Sequence, residues 1–167
     1  LVGTGSEMHF VGWEGTESLV ANAWRTDGTQ AGTRRLSNFG LERTFPVEAT
    51  FVRVGEQVYF PVFQYGLGTE LWRTDETAEG TVLVAQCSQP SDFISFHGTL
   101  HFFAQVSSTH RGLWRTDGIS TTLIASFLGT NRYGFPTVNQ AHLWQDQLYF
   151  VGGSEDEGPE LWRSDGT

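Results

Sequence analysis

The residues of this chain that could do chemistry come in sets, and the sets repeat. Five histidines are present, His9, His97, His101, His110 and His142. None of them forms His-Glu-x-x-His or another dense set of metal ligands. Four aspartates, Asp27, Asp75, Asp117 and Asp165, occupy equivalent positions. A calcium loop needs several closely spaced oxygen ligands, and each of these segments offers one carboxylate, so a turn-forming role is the better reading. Four tryptophans, Trp24, Trp72, Trp114 and Trp162, could be stacking platforms for sugars, and the arginine after each, Arg25, Arg73, Arg115 and Arg163, could hold an anion. A residue kept in every unit is better explained by the folding of the unit. The tryptophans then read as packing wedges and the arginines as repeated polar contacts between units. His9 and His101 share a repeat position with Tyr59 and Tyr149, which also favours packing. The run Ser154-Glu155-Asp156-Glu157 is the densest set of oxygen ligands, so Glu155, Asp156 and Glu157 are the metal candidates, although an exposed acidic loop is ordinarily just solvated. There is no Gly-x-Ser-x-Gly, no P-loop and no Gly-x-Gly-x-x-Gly opening a helix. Cys87 ends an apolar strand and has no second cysteine to pair with. The expectation is a chain without a catalytic centre and without a cofactor.

What positions these sets is an internal repeat. Ala23-Trp24-Arg25-Thr26-Asp27 returns as Leu71-Trp72-Arg73-Thr74-Asp75, as Leu113-Trp114-Arg115-Thr116-Asp117 and as Leu161-Trp162-Arg163-Ser164-Asp165, with the tryptophans 48, 42 and 48 residues apart. A second motif, MHFVG, VYFPV, LHFFA or LYFVG, precedes each tryptophan; its shared aromatic is Phe10, Phe60, Phe102 or Phe150, 14 residues before the Trp in the first unit and 12 in the others. Each unit reads as four strands. In the second these are Phe51 to Val54, Gln57 to Phe63, Glu70 to Arg73 and Thr81 to Gln86. Gly55-Glu56, His97-Gly98 and Gln145-Asp146 are the expected first hairpin turns. Nothing has a helical period. The strands VYFPVF, LHFFA, TVLVA and TLIASF are apolar on both faces, so each sheet must be covered on both sides. Four-stranded sheets stacked face to face around an axis achieve this. The expected fold is therefore an all-β propeller of four-stranded antiparallel blades, covering approximately 1–48, 49–91, 92–139 and 140–167, the last without its fourth strand. The chain can be a four-bladed ring completed by a strand from elsewhere, or part of a larger ring.

The segments Gly68-Thr69-Glu70-Leu71-Trp72-Arg73-Thr74-Asp75 and Asp27-Gly28-Thr29-Gln30-Ala31-Gly32-Thr33 resemble the ELWxxDGTxxGT repeats of bacterial, myxobacterial-type proteins, and the resemblance covers essentially the whole chain. It implies a propeller-like fold and an extracytoplasmic setting, secreted or at the cell surface. It implies no reaction. Two units depart from the pattern: the second has Asp75-Glu76-Thr77 where glycine is expected, and the third lacks the Gly-Thr after Asp117-Gly118-Ile119.

Composition narrows the partners. The 167 residues carry 38% apolar side chains, 14% aromatics and 20 glycines, which fits packed strands joined by tight turns. A formal charge of −9, with arginine as the sole strong base, opposes phosphate backbones and anionic lipid surfaces. No stretch approaches 18 apolar residues, so no membrane insertion is expected. A glycan or protein ligand is expected instead, with self-association or continuation into further blades. The connections that differ between units are the second-to-third loops, Trp13 to Ser18, Gln64 to Thr69, Gln105 to Arg111 and Gly152 to Pro159, and the inter-blade loops, Ser37 to Ala49, Ser88 to Asp92 and Leu128 to Gln140. Both classes leave an up-and-down blade on the same face, and variable loops on a rigid scaffold are where binding resides. Exposed aromatics beside polar groups suit sugars or protein surfaces. Trp13, Tyr65, His110, Arg132, Tyr133 and Phe135 are the expected ligand-binding residues. A non-catalytic binding or adhesion module is thus expected. The alternatives are a piece of a propeller enzyme, either a glycoside hydrolase with two facing carboxylates or a quinoprotein, and a purely architectural array.

Overall fold

A computed structural model of the chain describes residues 2–4, 6–14, 20–37, 44–45, 50–64, 68–128, 139–154 and 158–167. They form fifteen strands and no helix, so the protein is all-β. The strands fall into two compact units, 1–86 and 87–167.

In the first unit, β1 (Val2–Thr4), β2 (Glu7–Glu14), β3 (Val20–Thr26) and β4 (Arg34–Arg35) form an antiparallel sheet in chain order. Its register places Phe10 opposite Trp24 and His9 opposite Arg25. The second repeat follows with β5 (Thr44–Phe45), β6 (Val52–Val54), β7 (Gln57–Gln64) and β8 (Gly68–Thr74). The long β9 (Val82–Phe96), whose residues 82–86 belong to this unit, is bonded to β8. Phe60 again faces Trp72 and Tyr59 faces Arg73. The repeats share one core, made of Ala23, Leu36, Phe51, Val58, Phe60 and Val62, with Val11 and Trp72 packed against it. Each such fully buried aliphatic or aromatic side chain contributes about 1.5–3 kcal/mol relative to exposure.

The second unit holds the rest of β9, then β10 (Thr99–Gln105), β11 (His110–Thr116), β12 (Thr121–Leu128), β13 (Asn139–Trp144), β14 (Gln147–Ser154) and β15 (Gly158–Ser164). Phe102 faces Trp114, and Phe150 faces Trp162. Phe96, Phe103, Leu113, Phe127, Leu148 and Phe150 make its core, which draws on both the third and the fourth repeat. The last strand of one repeat meets the next at a single pair, Leu128 opposite Gly153.

The turns follow from their residues. His97 (φ 48°) with Gly98 (71°), and Gln145 (47°) with Asp146 (59°), have positive φ at both central positions, as a type I′ hairpin requires, whereas at Gly55-Glu56 only Gly55 (59°) is positive, the type II′ pattern. The Asp-Gly-Thr segments are knitted internally. Asp27 Oδ1 accepts from Thr29 N (2.9 Å) and Thr29 Oγ1 (2.7 Å), Thr29 Oγ1 accepts from Gly32 N (2.9 Å), and Thr33 Oγ1 donates to Thr29 O (2.6 Å). The second repeat reproduces this network through Asp75, Thr77, Gly80 and Thr81. A Cβ on Gly32 or Gly80 would overlap the aspartate carboxylate, which explains why the motif ends in Gly-Thr. These contacts hold all four aspartates below their usual pKa; the leading cause is the threonine hydroxyl for Asp27, Asp75 and Asp165, and the Ser120 amide for Asp117. The side chains are therefore turn locks.

Two expectations need correction. Ser88 to Asp92 is not a loop: the backbone stays extended through β9, paired to β10 at Ser88–Gln105 and Ser91–Phe103 with register shifts. Gln89 (φ 49°) and Asp92 (φ 51°) absorb the irregularity, and Arg111 binds across it, to Gln89 O and Ser91 Oγ, both at 2.9 Å. Pro90 is tolerated at such a bulge because no ladder bond is asked of its nitrogen. The second-to-third loops are also shorter than expected, because the hairpins pair as far as Glu14–Val20, Gln64–Gly68, Gln105–Arg111 and Ser154–Gly158. Ladder hydrogen bonds use the backbone, so polar side chains and glycines did not stop them.

Candidate functional site

The densest set of ionisable groups among the described residues lies in the first unit, at the opposite end of the strands from the variable loops. It is built on one substitution. The second residue of the aspartate turn has positive φ in every repeat: Gly28 at 89°, Gly118 at 90°, Gly166 at 89°, and Glu76 at 73°. For a side chain other than glycine this backbone costs about 1–2 kcal/mol. The Glu76 carboxylate is met by Arg25 (2.8 Å) and by Arg53, its carbonyl accepts from Arg34 (2.9 Å), and His9 Nε2 lies 3.5 Å away. Arg25 also contacts Glu7, so one guanidinium holds both carboxylates. His9 is fully buried and lies against Phe51 with ring centroids 5.7 Å apart.

The electrostatics follow from this crowding. Partial burial and then the bond to Glu76 raise the pKa of Glu7. Partial burial pushes Glu76 up as well, but the Glu7 carboxyl and Arg53 outweigh it and the net shift is downward. Of the two carboxyls, Glu7 is therefore the one that takes up a proton first as the pH falls. Burial lowers His9, which is neutral at pH 7. The second unit shows the glycine form of the contact: His101 Nε2 (3.3 Å) and Arg115 (3.2 Å), at the repeat positions of His9 and Arg25, both reach the carbonyl of Gly166. In both units the turn of one repeat thus docks on the His and Arg of the repeat before it. Arg25 and Arg115 make the inter-repeat polar contacts expected of them, and His9 and His101 are packed as expected. The cluster is a clamp. Its two carboxylates are both engaged by the Arg25 guanidinium, which stands where a sugar would have to lie between a glycosidase's acid and base.

The second unit holds a cleft of about 550 Å³. Phe127, Phe150, Leu113 and Trp162 give it an aromatic and aliphatic lining, and His110, Ser126, Arg163 and Thr167 are its polar members. Trp162 packs edge-on against Phe127, centroids 5.2 Å apart, and donates to Gly152 O at 3.2 Å. His110 opens β11, and its Nδ1 is 2.9 Å from Thr109 Oγ1. Of the expected ligand-binding residues, His110 is thus placed at the cleft. Trp13 lies in β2 opposite Ala21. Tyr65, Arg132, Tyr133 and Phe135 fall outside the described residues, as do the metal candidates Glu155, Asp156 and Glu157. Trp162 and Arg163 read from the repeat as a packing wedge and a polar contact, and the signal that marks them as cleft residues is three-dimensional: β15 stands across the cleft from Ile124, Phe127 and Leu128.

Among solved structures, the chain is similar to an α-L-arabinofuranosidase, CtGH43, from Clostridium thermocellum, with 13% identity and a TM-score of 0.52 over 98% of this chain and 67% of that one. At that identity the likeness is one of fold. No protein-family model and no curated protein matches the chain.

Proposed function

We propose that the chain is a run of β-propeller blades, of the ELWxxDGT repeat type, that serves as a non-catalytic binding or adhesion module of a secreted or cell-surface bacterial protein. The ligand is a glycan or a protein. The carrying observation is the cleft at His110, which joins an aromatic floor to a few polar groups, the usual make-up of a recognition site. The tight repeat-to-repeat cores and turn locks support the scaffold half of the reading.

A second reading, a fragment of a propeller glycoside hydrolase, is favoured by the fold likeness to the arabinofuranosidase. The ion pairs that tie both Glu7 and Glu76 to Arg25 speak against that cluster as its acid and base. One experiment separates the two. The protein is incubated with 4-nitrophenyl α-L-arabinofuranoside, and its tryptophan fluorescence is titrated with arabino-oligosaccharides and with a panel of bacterial glycans. A binding module gives no nitrophenol above the uncatalysed rate and a saturable fluorescence change with a glycan or, failing that, with a protein ligand. Turnover of the arabinoside would establish the enzyme reading.

A further inference from the structure

The four repeats are not alike; they alternate. The first and third carry His9 and His101 before the shared phenylalanine, whereas the second and fourth carry Gln57-Val58-Tyr59-Phe60 and Gln147-Leu148-Tyr149-Phe150. Glu70-Leu71-Trp72-Arg73 and Glu160-Leu161-Trp162-Arg163 match each other too, while Asn22 and Gly112 stand at the glutamate position of the first and third. The tryptophan spacings of 48, 42 and 48 keep the same rhythm. Like repeats are therefore next-but-one neighbours, and the sequence recurs in pairs.

The contacts follow the alternation. The cross-strand pairs His9–Arg25 and His101–Arg115 are sockets of two donors. The first takes the Glu76 turn of the second repeat, and the other takes the Gly166 carbonyl of the fourth. In the second repeat the same ladder position pairs Tyr59 with Arg73, and Arg73 Nη1 donates within its own repeat, to Gln57 Oε1 at 2.9 Å. Burial follows the same division. The core of Ala23, Leu36, Phe51, Val58, Phe60 and Val62 is built by the first pair of repeats, and that of Phe96, Phe103, Leu113, Phe127, Leu148 and Phe150 by the second pair. The backbone marks the boundary between the units at residues 86 and 87. Just past it, Gln89 (φ 49°) and Asp92 (φ 51°) hold the left-handed conformation that side chains other than glycine rarely adopt, and Pro90 between them has no ladder donor.

We propose that the cooperative unit of this protein is the repeat pair, so that residues 1–86 and 87–167 open and close separately. The turn-in-socket contact and the common core weld the two repeats of a pair, and the strained stretch at 89–92 is where cooperativity along the chain is interrupted. In a repeat protein, stability is the sum of what each repeat contributes and what each interface adds, so a strong interface inside each pair makes the pair the unit of local unfolding. The inference concerns the scaffold and holds whatever ligand the chain binds.

The test uses the whole 167-residue protein and two variants at one repeat position, Phe60→Ala and Phe150→Ala, both in buried core sites. Amide hydrogen exchange is followed strand by strand. Phe60→Ala should lower protection at least tenfold in β2, β3, β7 and β8 together, and leave β10, β11 and β12 within about twofold of the parent. Phe150→Ala should do the reverse, lowering β10, β11 and β14 together and sparing β2, β3 and β7. Phe60→Leu and Phe150→Leu repeat the comparison at a smaller loss of packing, so that an alanine variant that fails to fold does not end the test. Arg115→Met, which empties half of the socket for Gly166, should lower protection in β10 and β14 alike and spare the first pair. A loss spread evenly over both pairs overturns the proposal, because the whole chain is then one cooperative unit. A loss confined to the substituted repeat overturns it as well, because the single repeat is then the unit.

Discussion

At the scale of single residues, Glu76 shows how a departure from a repeat becomes a contact. Three repeats place glycine at the positive-φ position, and the second repeat places a glutamate there and surrounds it with Arg25, Arg53, Arg34 and His9. Glu76→Gly would relieve the backbone but remove the carboxylate that Arg25 and Arg53 both bind, with Arg25 keeping only Glu7. Hydrogen bonds to charged groups are worth about 1.5–3 kcal/mol each, so the loss outweighs the relief, and a net destabilisation of about 1–3 kcal/mol is expected in urea unfolding. A more stable variant would mean that the clamp contributes nothing. The opposed shifts of the two carboxyls give a second expectation. Glu7, with a pKa raised from 4.5, contributes stability that is full below 4.5 and is lost as pH rises through its folded-state value. Glu76, lowered from 4.5, contributes stability that is present above 4.5 and is lost as pH falls through its folded-state value. Glu7→Gln supplies a permanent donor in place of the proton, so the melting temperature of the variant should gain on the parent between pH 4.5 and pH 7. A difference between the two proteins that does not change with pH would show that Glu7 is not raised. Sequence reasoning flagged Glu76 as an anomaly of the turn, and it could not see the clamp, because the partners sit 51 and 23 residues away and are brought together by packing.

At the scale of elements, the repeat made most of the fold legible. The pairing of Phe10 with Trp24, Phe60 with Trp72, Phe102 with Trp114 and Phe150 with Trp162 is the two-motif pattern seen as a ladder. What was not legible was continuity. Gln-Pro-Ser-Asp at 89–92 carries the composition of a loop, yet Arg111 and two positive-φ residues keep it extended inside β9. Local propensity lost there to pairing with a neighbour distant in sequence. The Asp-Gly-Thr turns are the opposite case, since their bonds are local and their chemistry is fully readable. Gly80→Ala tests that reading. Its Cβ would strike the Asp75 carboxylate and break the bond from Gly80 N to Thr77 Oγ1, so the turn joining β8 to β9 should lose about 1–3 kcal/mol, together with amide-exchange protection at Thr77 and Gly80. The same alanine at Gly98, whose Cβ would meet nothing within 4 Å, costs only the positive-φ strain of about 1–2 kcal/mol and leaves that protection intact. Equal losses of protection in the two variants would refute the close-approach argument.

For the molecule as a whole, charge and exposed apolar surface oppose each other. The net charge of −9 and an isoelectric point near 4.9 keep copies apart at neutral pH, while Ile119 at 86% and Trp144 at 60% exposure offer apolar contact. Repulsion between molecules that carry several like charges falls away at the isoelectric point and is screened beyond about 8–10 Å at physiological salt. Light scattering at pH 7 in low salt should give a mass near 18.6 kDa, and the mass should rise as the pH approaches 4.9. The double substitution Ile119→Asp with Trp144→Asp should suppress that rise, because it removes apolar contact and adds negative charge at two exposed positions. Were the apparent mass already a multiple of 18.6 kDa at pH 7, and insensitive to these substitutions, the association would run through other surfaces.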